Sequence, residues 1–152
     1  MNAEPVLALV TRALARRSFD VVLIGNAAAA LQGAPVTTLD FDFMFRKTPR
    51  NLQKLRGLAD DLGATVLRPY YPAAELYRVT RDVGTLQLDF MARVDGVPSF
   101  EGLRARATEA HFGGYPLRVA ALEDVILSKQ AADRPQDRAV LPVLEATLRA
   151  RG

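Results

Sequence analysis

Two carboxylates stand one residue apart inside an apolar run. The stretch GNAAAALQGAPVTTLDFDFMF, residues 25–45, closes with Asp40 and Asp42 set among phenylalanines. Read as a strand over 39–45, it alternates: Leu39, Phe41, Phe43 and Phe45 take one face, Asp40 and Asp42 the other. Side chains at i and i+2 lie about 6–7 Å apart along a strand. Carboxylates so placed repel, and one pKa rises unless a cation sits between them. A hard divalent cation meets that need. Magnesium prefers carboxylate oxygens, keeps several waters and is often shared with substrate phosphates. The plainer alternative is a sheet with one solvated face, where alternating aspartates are ordinary.

Further residues bear on that choice. Asp89 lies in LQLDFMA, another apolar strand carrying one carboxylate. Three carboxylates on adjacent strands would hold two metals, one for the phosphates and one to activate an attacking hydroxyl. The segment before the aspartates ends in Gly25-Asn26 at the start of an alanine-rich helix. Backbone N–H groups at such a start attract anions, and glycine allows close approach. Strand, glycine-led helix, turn and D-x-D strand then place an anion site beside a cation site. That is the outline of a metal–triphosphate site.

Several chemistries drop out. The chain has 152 residues and no cysteine, which removes disulfides, thiolate metal sites and cysteine nucleophiles. A cytoplasmic location fits that composition. His111 is the single histidine, too few for a histidine-rich metal site, and reads as a hairpin surface residue. No run approaches the roughly 20 apolar residues that cross a bilayer, so no membrane partner is expected. The formal net charge is +3, with arginine far outnumbering lysine, and this permits an anionic partner such as a nucleotide or RNA.

The elements that must position these residues follow from periodicity and stop signals. Helices are expected over 4–17, 26–33, 48–63, 99–107, 121–133 and 134–150. Strands are expected over 20–25, 39–45, 64–68, 75–80 and 84–92, with a hairpin over 108–120 turning at Gly113-Gly114. Pro142 implies a kink or break in the last helix. Tyr70 and Tyr71, between Pro69 and Pro72, read as a loop anchor or a platform for stacking a base. Strands first interleaved with helices and then run together predict an α/β (α+β) chain with a mixed sheet and a helical C-terminal segment. One domain over 1–152 is expected, with a core of about 1–115 and C-terminal helices over about 121–150.

At these residues the sequence resembles the nucleotidyltransferase superfamily, with its DNA polymerase β-like fold. More narrowly it is similar to a small bacterial branch near the AbiEii-type toxins. The matching positions are Gly25, Asn26, Gly33, Thr38, Asp40, Asp42 and Asp89. Lys129, Arg134 and Asp137 match a lysine and an Arg-x-x-Asp pairing that this branch tends to carry near its C-terminus. The chain departs from the pattern at Asn26, where Gly or Ser is usual, and at Val36, where many members carry Arg. Duty lost at Val36 would pass to Arg46, Lys47 or Lys129.

The resemblance implies transfer of NMP from an NTP to an acceptor hydroxyl, with two Mg²⁺ or Mn²⁺ ions. Asp40, Asp42 and Asp89 would be the catalytic and metal-ligating residues, with Asp89 also helping to deprotonate the acceptor. Gly25, Asn26, Thr38, Lys129, Arg134 and Asp137 would contact or orient the nucleotide. The acceptor could be an RNA 3′ end such as tRNA, a small molecule or a protein side chain. A toxin with a cognate antitoxin is one biological setting. The alternative is a non-catalytic nucleotide- or partner-binding module on the same fold. Without the resemblance, Arg134 and Asp137 read simply as a local ion pair at i and i+3.

Overall fold

The computed structural model describes residues 4–38, 40–68, 75–81 and 86–151. Leading from the N-terminus, α1 (Glu4–Arg16) precedes β1 (Val21–Ile24), α2 (Gly25–Leu31), β2 (Phe41–Phe45) and α3 (Pro49–Asp61). Then come β3 (Thr65–Leu67), β4 (Leu76–Arg81), β5 (Leu86–Met91) and α4 (Phe100–Arg106). The chain continues through β6 (Thr108–Phe112), β7 (Tyr115–Val119), α5 (Leu122–Ala132) and α6 (Pro135–Ala150). Each expected element is present within a few residues of its expected limits. Tyr70 and Tyr71 lie outside the described residues, as do Leu39 and residues 84 and 85.

The seven strands form one mixed sheet in the order β3-β4-β5-β2-β1-β7-β6. At its centre β1 runs antiparallel to β2, and β2 runs parallel to β5. β1 also runs parallel to β7, and the β3–β4, β4–β5 and β6–β7 pairs are antiparallel. A parallel neighbour cannot be reached by a tight turn. The crossover from β2 to β5 therefore carries α3, β3 and β4, and the one from β1 to β7 carries most of the chain.

The phenylalanines of β2 build the core. Phe41, Phe43 and Phe45 are buried. Phe43 stacks on Phe90 of β5 at 5.0 Å, and Phe90 stacks on Phe19 at 5.6 Å. Phe45 meets Phe19 and Tyr77 edge-on at 5.9 and 6.0 Å. Burial of each such ring contributes about 2–3 kcal/mol. These contacts hold β4, β5 and β2 in register, and that register decides which polar residues meet beside them. α1 packs on β6, β7 and α3, whereas α2 packs on β1, β2 and α5, and α5 on α6.

Two elements depart from expectation. The strand expected from residue 39 begins at Phe41, so Asp40 sits just ahead of it, exposed. The helix expected to kink or break at Pro142 runs unbroken from Pro135 to Ala150. Its first turn is secured by Pro135 and by a capping box between Arg134 and Asp137. Among the described residues no helix is long and apolar enough to cross a membrane.

Candidate active site

The β1–α2 turn sets one wall of the site. Gly25 adopts φ +68°, a left-handed conformation that side chains disfavour. A Cβ here would lie 3.2 Å from Oδ2 of Asp42. Glycine therefore lets the start of α2 close onto the carboxylate. Ala27, Ala28 and Ala29 are buried, and their small side chains let this short helix settle on the sheet. The next residue, Asn26, has a buried Oδ1 with no hydrogen-bond partner among the described residues.

β2 carries the carboxylates. Asp42 stands opposite Ile24 of β1 and opposite Asp89 of β5. Its side chain has no ion pair or hydrogen bond among the described residues. Burial, then Asp89, then Asp40 push its pKa up to about 6, while Lys129 and Arg134 pull the other way. Asp40 is exposed, and its side chain likewise has no partner among the described residues. Thr38 donates its hydroxyl to the Asp40 carbonyl at 2.7 Å, fixing the backbone from which Asp40 projects.

Asp89 is in a different state. It is 7% exposed and gripped by Arg78 of β4, which stands opposite it in register. Arg78 Nε donates to Oδ1 at 2.8 Å and its terminal nitrogen to Oδ2 at 3.2 Å. That bond is the chief reason the Arg78 pKa is raised. The fork geometry is the strong, orienting form of this interaction. Nothing in ELYRVT marks Arg78 for this task. The alternation puts Leu76, Arg78 and Thr80 on one face, but only strand pairing brings that face to Asp89.

The C-terminal helices supply the facing wall. Gln32, at the end of α2, donates to the Ala120 carbonyl at 2.6 Å and accepts from the Leu122 N–H at 3.2 Å. This ties the start of α5 to α2. Lys129 on α5 is half-buried, with Nζ 3.6 Å from Asp137. Burial lowers its pKa, opposed by Asp137. Asp137 is fully buried at the head of α6. It accepts from Arg134 Nε at 2.7 Å, from the other fork at 3.1 Å and from the Arg134 backbone N–H at 3.2 Å. These bonds hold its carboxyl below the usual range. The local ion pair read from the sequence is thus present, and it also engages Lys129.

Gly25, Asp42, Arg78, Asp89, Lys129 and Arg134 line one cleft of about 1190 Å³. The loop over 92–98 forms part of its rim, with Gly96 against α5, where a Cβ would fall 2.6 Å from the Leu127 carbonyl. Two cations offered as stand-ins for Val36 are occupied. Arg46 pairs with Glu101 and lies over the Phe100 ring at 4.6 Å. Lys47 stands 3.5 Å from Glu75. Val36 packs against the core. His111, on β6, is 60% exposed and 3.8 Å from Glu109.

Among the described residues no group of three or more Asp, Glu or His side chains is arranged to hold a metal ion. The donor set still suits one hard cation. Asp40 and Asp42 are two carboxylates with no ion pair among the described residues, one of them shielded from water enough to raise its pKa. Unpaired charge on a half-buried carboxylate is relieved by a bound cation. The expected third member, Asp89, has both oxygens hydrogen-bonded by Arg78.

No protein-family model matches the sequence, and no curated protein matches it. Solved structures do match, over almost all of the chain. ANT(2″)-Ia in complex with adenylyl-2″-tobramycin is 16% identical, with a TM-score of 0.67 over 100% of this chain and 91% of that one. The lincosamide antibiotic adenylyltransferase LnuA, with lincomycin bound, is 13% identical, with a TM-score of 0.64 over 97% of this chain and 98% of its own. An antigenic nucleotidyltransferase-like protein from Paracoccidioides brasiliensis is 16% identical, with a TM-score of 0.61 over 97% and 75%. At these identities the likeness is one of architecture: the chain has the fold of the nucleotidyltransferase superfamily.

Proposed function

We propose that the protein is a metal-dependent nucleotidyltransferase, moving NMP from an NTP to an acceptor hydroxyl. One observation carries this reading. In a cleft of a nucleotidyltransferase fold, Asp42 is a half-buried carboxylate with no hydrogen bond or ion pair among the described residues, within the electrostatic reach of Lys129 and Arg134. A fold maintains such a group at a cost to its own stability.

Asp40 and Asp42 would hold a Mg²⁺ or Mn²⁺ ion. When bound, the ion supplies charge neutralisation and Lewis acidity at the phosphates. The Gly25–Asn26 turn offers backbone N–H groups to the phosphate chain. Lys129 and Arg134 are cations on the opposite wall, suited to the negative charge of departing pyrophosphate. Asp89, oriented by Arg78, is the base for the acceptor. A new bond forms between the acceptor oxygen and the α-phosphorus, the bond from that phosphorus to pyrophosphate breaks, and the hydroxyl proton goes to Asp89. Such transfers depend chiefly on positioning and electrostatics.

The acceptor is a small hydroxylated molecule, an RNA 3′ end such as tRNA, or a protein side chain. The structures named above, one with an adenylylated tobramycin and one with lincomycin, favour the first on analogy of fold. A toxin restrained by an antitoxin would use the same chemistry on a cellular acceptor.

A second reading, a nucleotide-binding module without activity, draws on Arg78. An arginine on the would-be base and Asn26 at the phosphate turn are what a degenerate site would show. Labelling of metabolites, RNA and protein with α-phosphate-labelled NTPs separates the two, wild type beside Asp42→Asn. Label that appears with Mg²⁺ and disappears in the variant supports transfer. Calorimetric nucleotide binding with no label in any pool supports the module, and no binding at millimolar NTP defeats both.

A further inference from the structure

The arrangement of the sheet bears on how many metal ions the site takes. Arg78, Asp89 and Asp42 stand in one row across β4, β5 and β2, each directly opposite the next in register. Residues opposite one another share a face. The guanidinium is therefore built into the row of carboxylates, at the flank of Asp89 away from Asp42. It engages both Asp89 oxygens, and Gln87 Nε2 approaches Oδ2 at 3.5 Å. Its pKa is raised first by Asp89 and also by Asp40 and Asp42, so it acts on the whole carboxylate group.

We infer that Arg78 takes the place of a second cation, so that the site binds one divalent ion, at Asp40 and Asp42. On the sheet itself, three carboxylates less one guanidinium leave two negative charges, the charge that one divalent ion balances, while Lys129 and Arg134 on the facing wall share Asp137. A bidentate arginine already takes one lone pair of each Asp89 oxygen. A dication ligated by the remaining ones would stand beside the fixed positive charge of Arg78, which is unfavourable on charge grounds. Arginine suits this task because its charge is permanent and its planar fork matches a carboxylate. Asp89 thus remains a carboxylate aimed by protein rather than by metal.

This rests on the metal-dependent reading above, and the test keeps the two apart. Equilibrium dialysis with Mn²⁺ is carried out on the full chain with one equivalent of α,β-methylene-ATP and, separately, of α,β-methylene-GTP. Wild type is expected to hold one Mn²⁺ per chain, with no Mn–Mn coupling in its EPR spectrum. Arg78→Met is expected to gain a second ion and show that coupling, whereas Arg78→Lys stays at one.

Because Arg78→Met leaves Asp89 unpaired and can impair folding, a charge-balanced double variant is included. Arg78→Met with Asp89→Asn retains Asp40 and Asp42 and should keep one ion at nearly wild-type affinity. Two ions in wild type overturn this inference alone. So does loss of the ion by more than about a hundredfold in the folded double variant, since that exceeds what removing a partner outside the metal's own ligands costs. A folded Arg78→Met that stays at one ion overturns it too. No Mn²⁺ bound to wild type with either analogue defeats the metal-dependent reading and this inference together.

Discussion

The carboxylate end of the sheet and the corner between α5 and α6 treat buried acid in opposite ways. At the corner, Asp137 is fully buried, and Arg134 and Lys129 both serve it. Its hydrogen bonds with Arg134 cap α6, and its ion pairs hold Arg134 and Lys129 on the cleft wall. On the sheet, Asp42 is half-buried, and among the described residues no side chain hydrogen-bonds or pairs with it. Arg134 lowers the pKa of Asp137, while burial and neighbouring acids raise that of Asp42. A satisfied buried charge holds a structure together. An unsatisfied one stores free energy that a ligand can release.

The contrast is broken most severely by exchanging the roles. Asp42→Asn should lower nucleotidyl transfer by about 10²-fold or more, because it removes a ligand of the proposed divalent ion whose charge stabilises the reacting phosphates. The same variant should be no less stable than wild type in urea. A labelling rate close to wild type would remove Asp42 from the reaction.

Asp137→Ala should do the reverse. Two cations lose a buried partner and α6 loses its cap, so stability should fall by about 3–5 kcal/mol in urea unfolding. A loss below about 1 kcal/mol would mean that water serves Lys129 and Arg134 equally well.

A pH series sharpens the comparison. The Asp42 pKa rises from 3.8 unfolded to about 6 folded. The folded chain therefore binds the proton more tightly. The stabilising effect of that proton is full below about pH 4 and is lost as pH rises through 6. Above pH 6, Asp42→Asn should exceed wild type by about 1–3 kcal/mol, and the advantage should vanish near pH 4. Asp137 should show the opposite slope, since a depressed pKa contributes stability that is lost as pH falls. Parallel urea midpoints for wild type and Asp42→Asn from pH 4 to about 8 would contradict the Asp42 assignment.

The smallest expected effect is at Gly25. Gly25→Ala forces a side chain into a left-handed φ and towards Asp42 Oδ2, at about 1–2 kcal/mol. Thermal unfolding checks it. A stabilising change would show that the β1–α2 turn is free to relax.

Much of this protein is legible in one dimension. Thr48-Pro49 announces α3, and the Thr48 hydroxyl accepts from the Asn51 N–H at 3.1 Å. The strict alternation of LDFDFMF predicts the buried phenylalanine face, and Phe41, Phe43 and Phe45 lie there. Asp42, Lys129, Arg134 and Asp137 can be picked out as site candidates and do meet in one cleft. Short-range signals suffice for these, because periodicity, caps and turns act over a few residues.

Arg78 was not legible, nor was the state of Asp89. Both depend on a pairing between strands eleven residues apart, in a register set by Phe90 packing between Phe43 and Phe19. A strand one residue out of register would turn Arg78 to the opposite face. Pro142 misled for a similar reason. A proline removes one helical hydrogen bond, but α6 is held by its cap and by buried Leu144, and it continues. The sequence by itself determined the elements, the aromatic core and the identity of the charged residues, all consequences of local pattern. Only the tertiary structure decided which charges meet. It left Asp42 without a partner among the described residues and committed Asp89 to Arg78, because strand order and register are properties of the whole packed sheet.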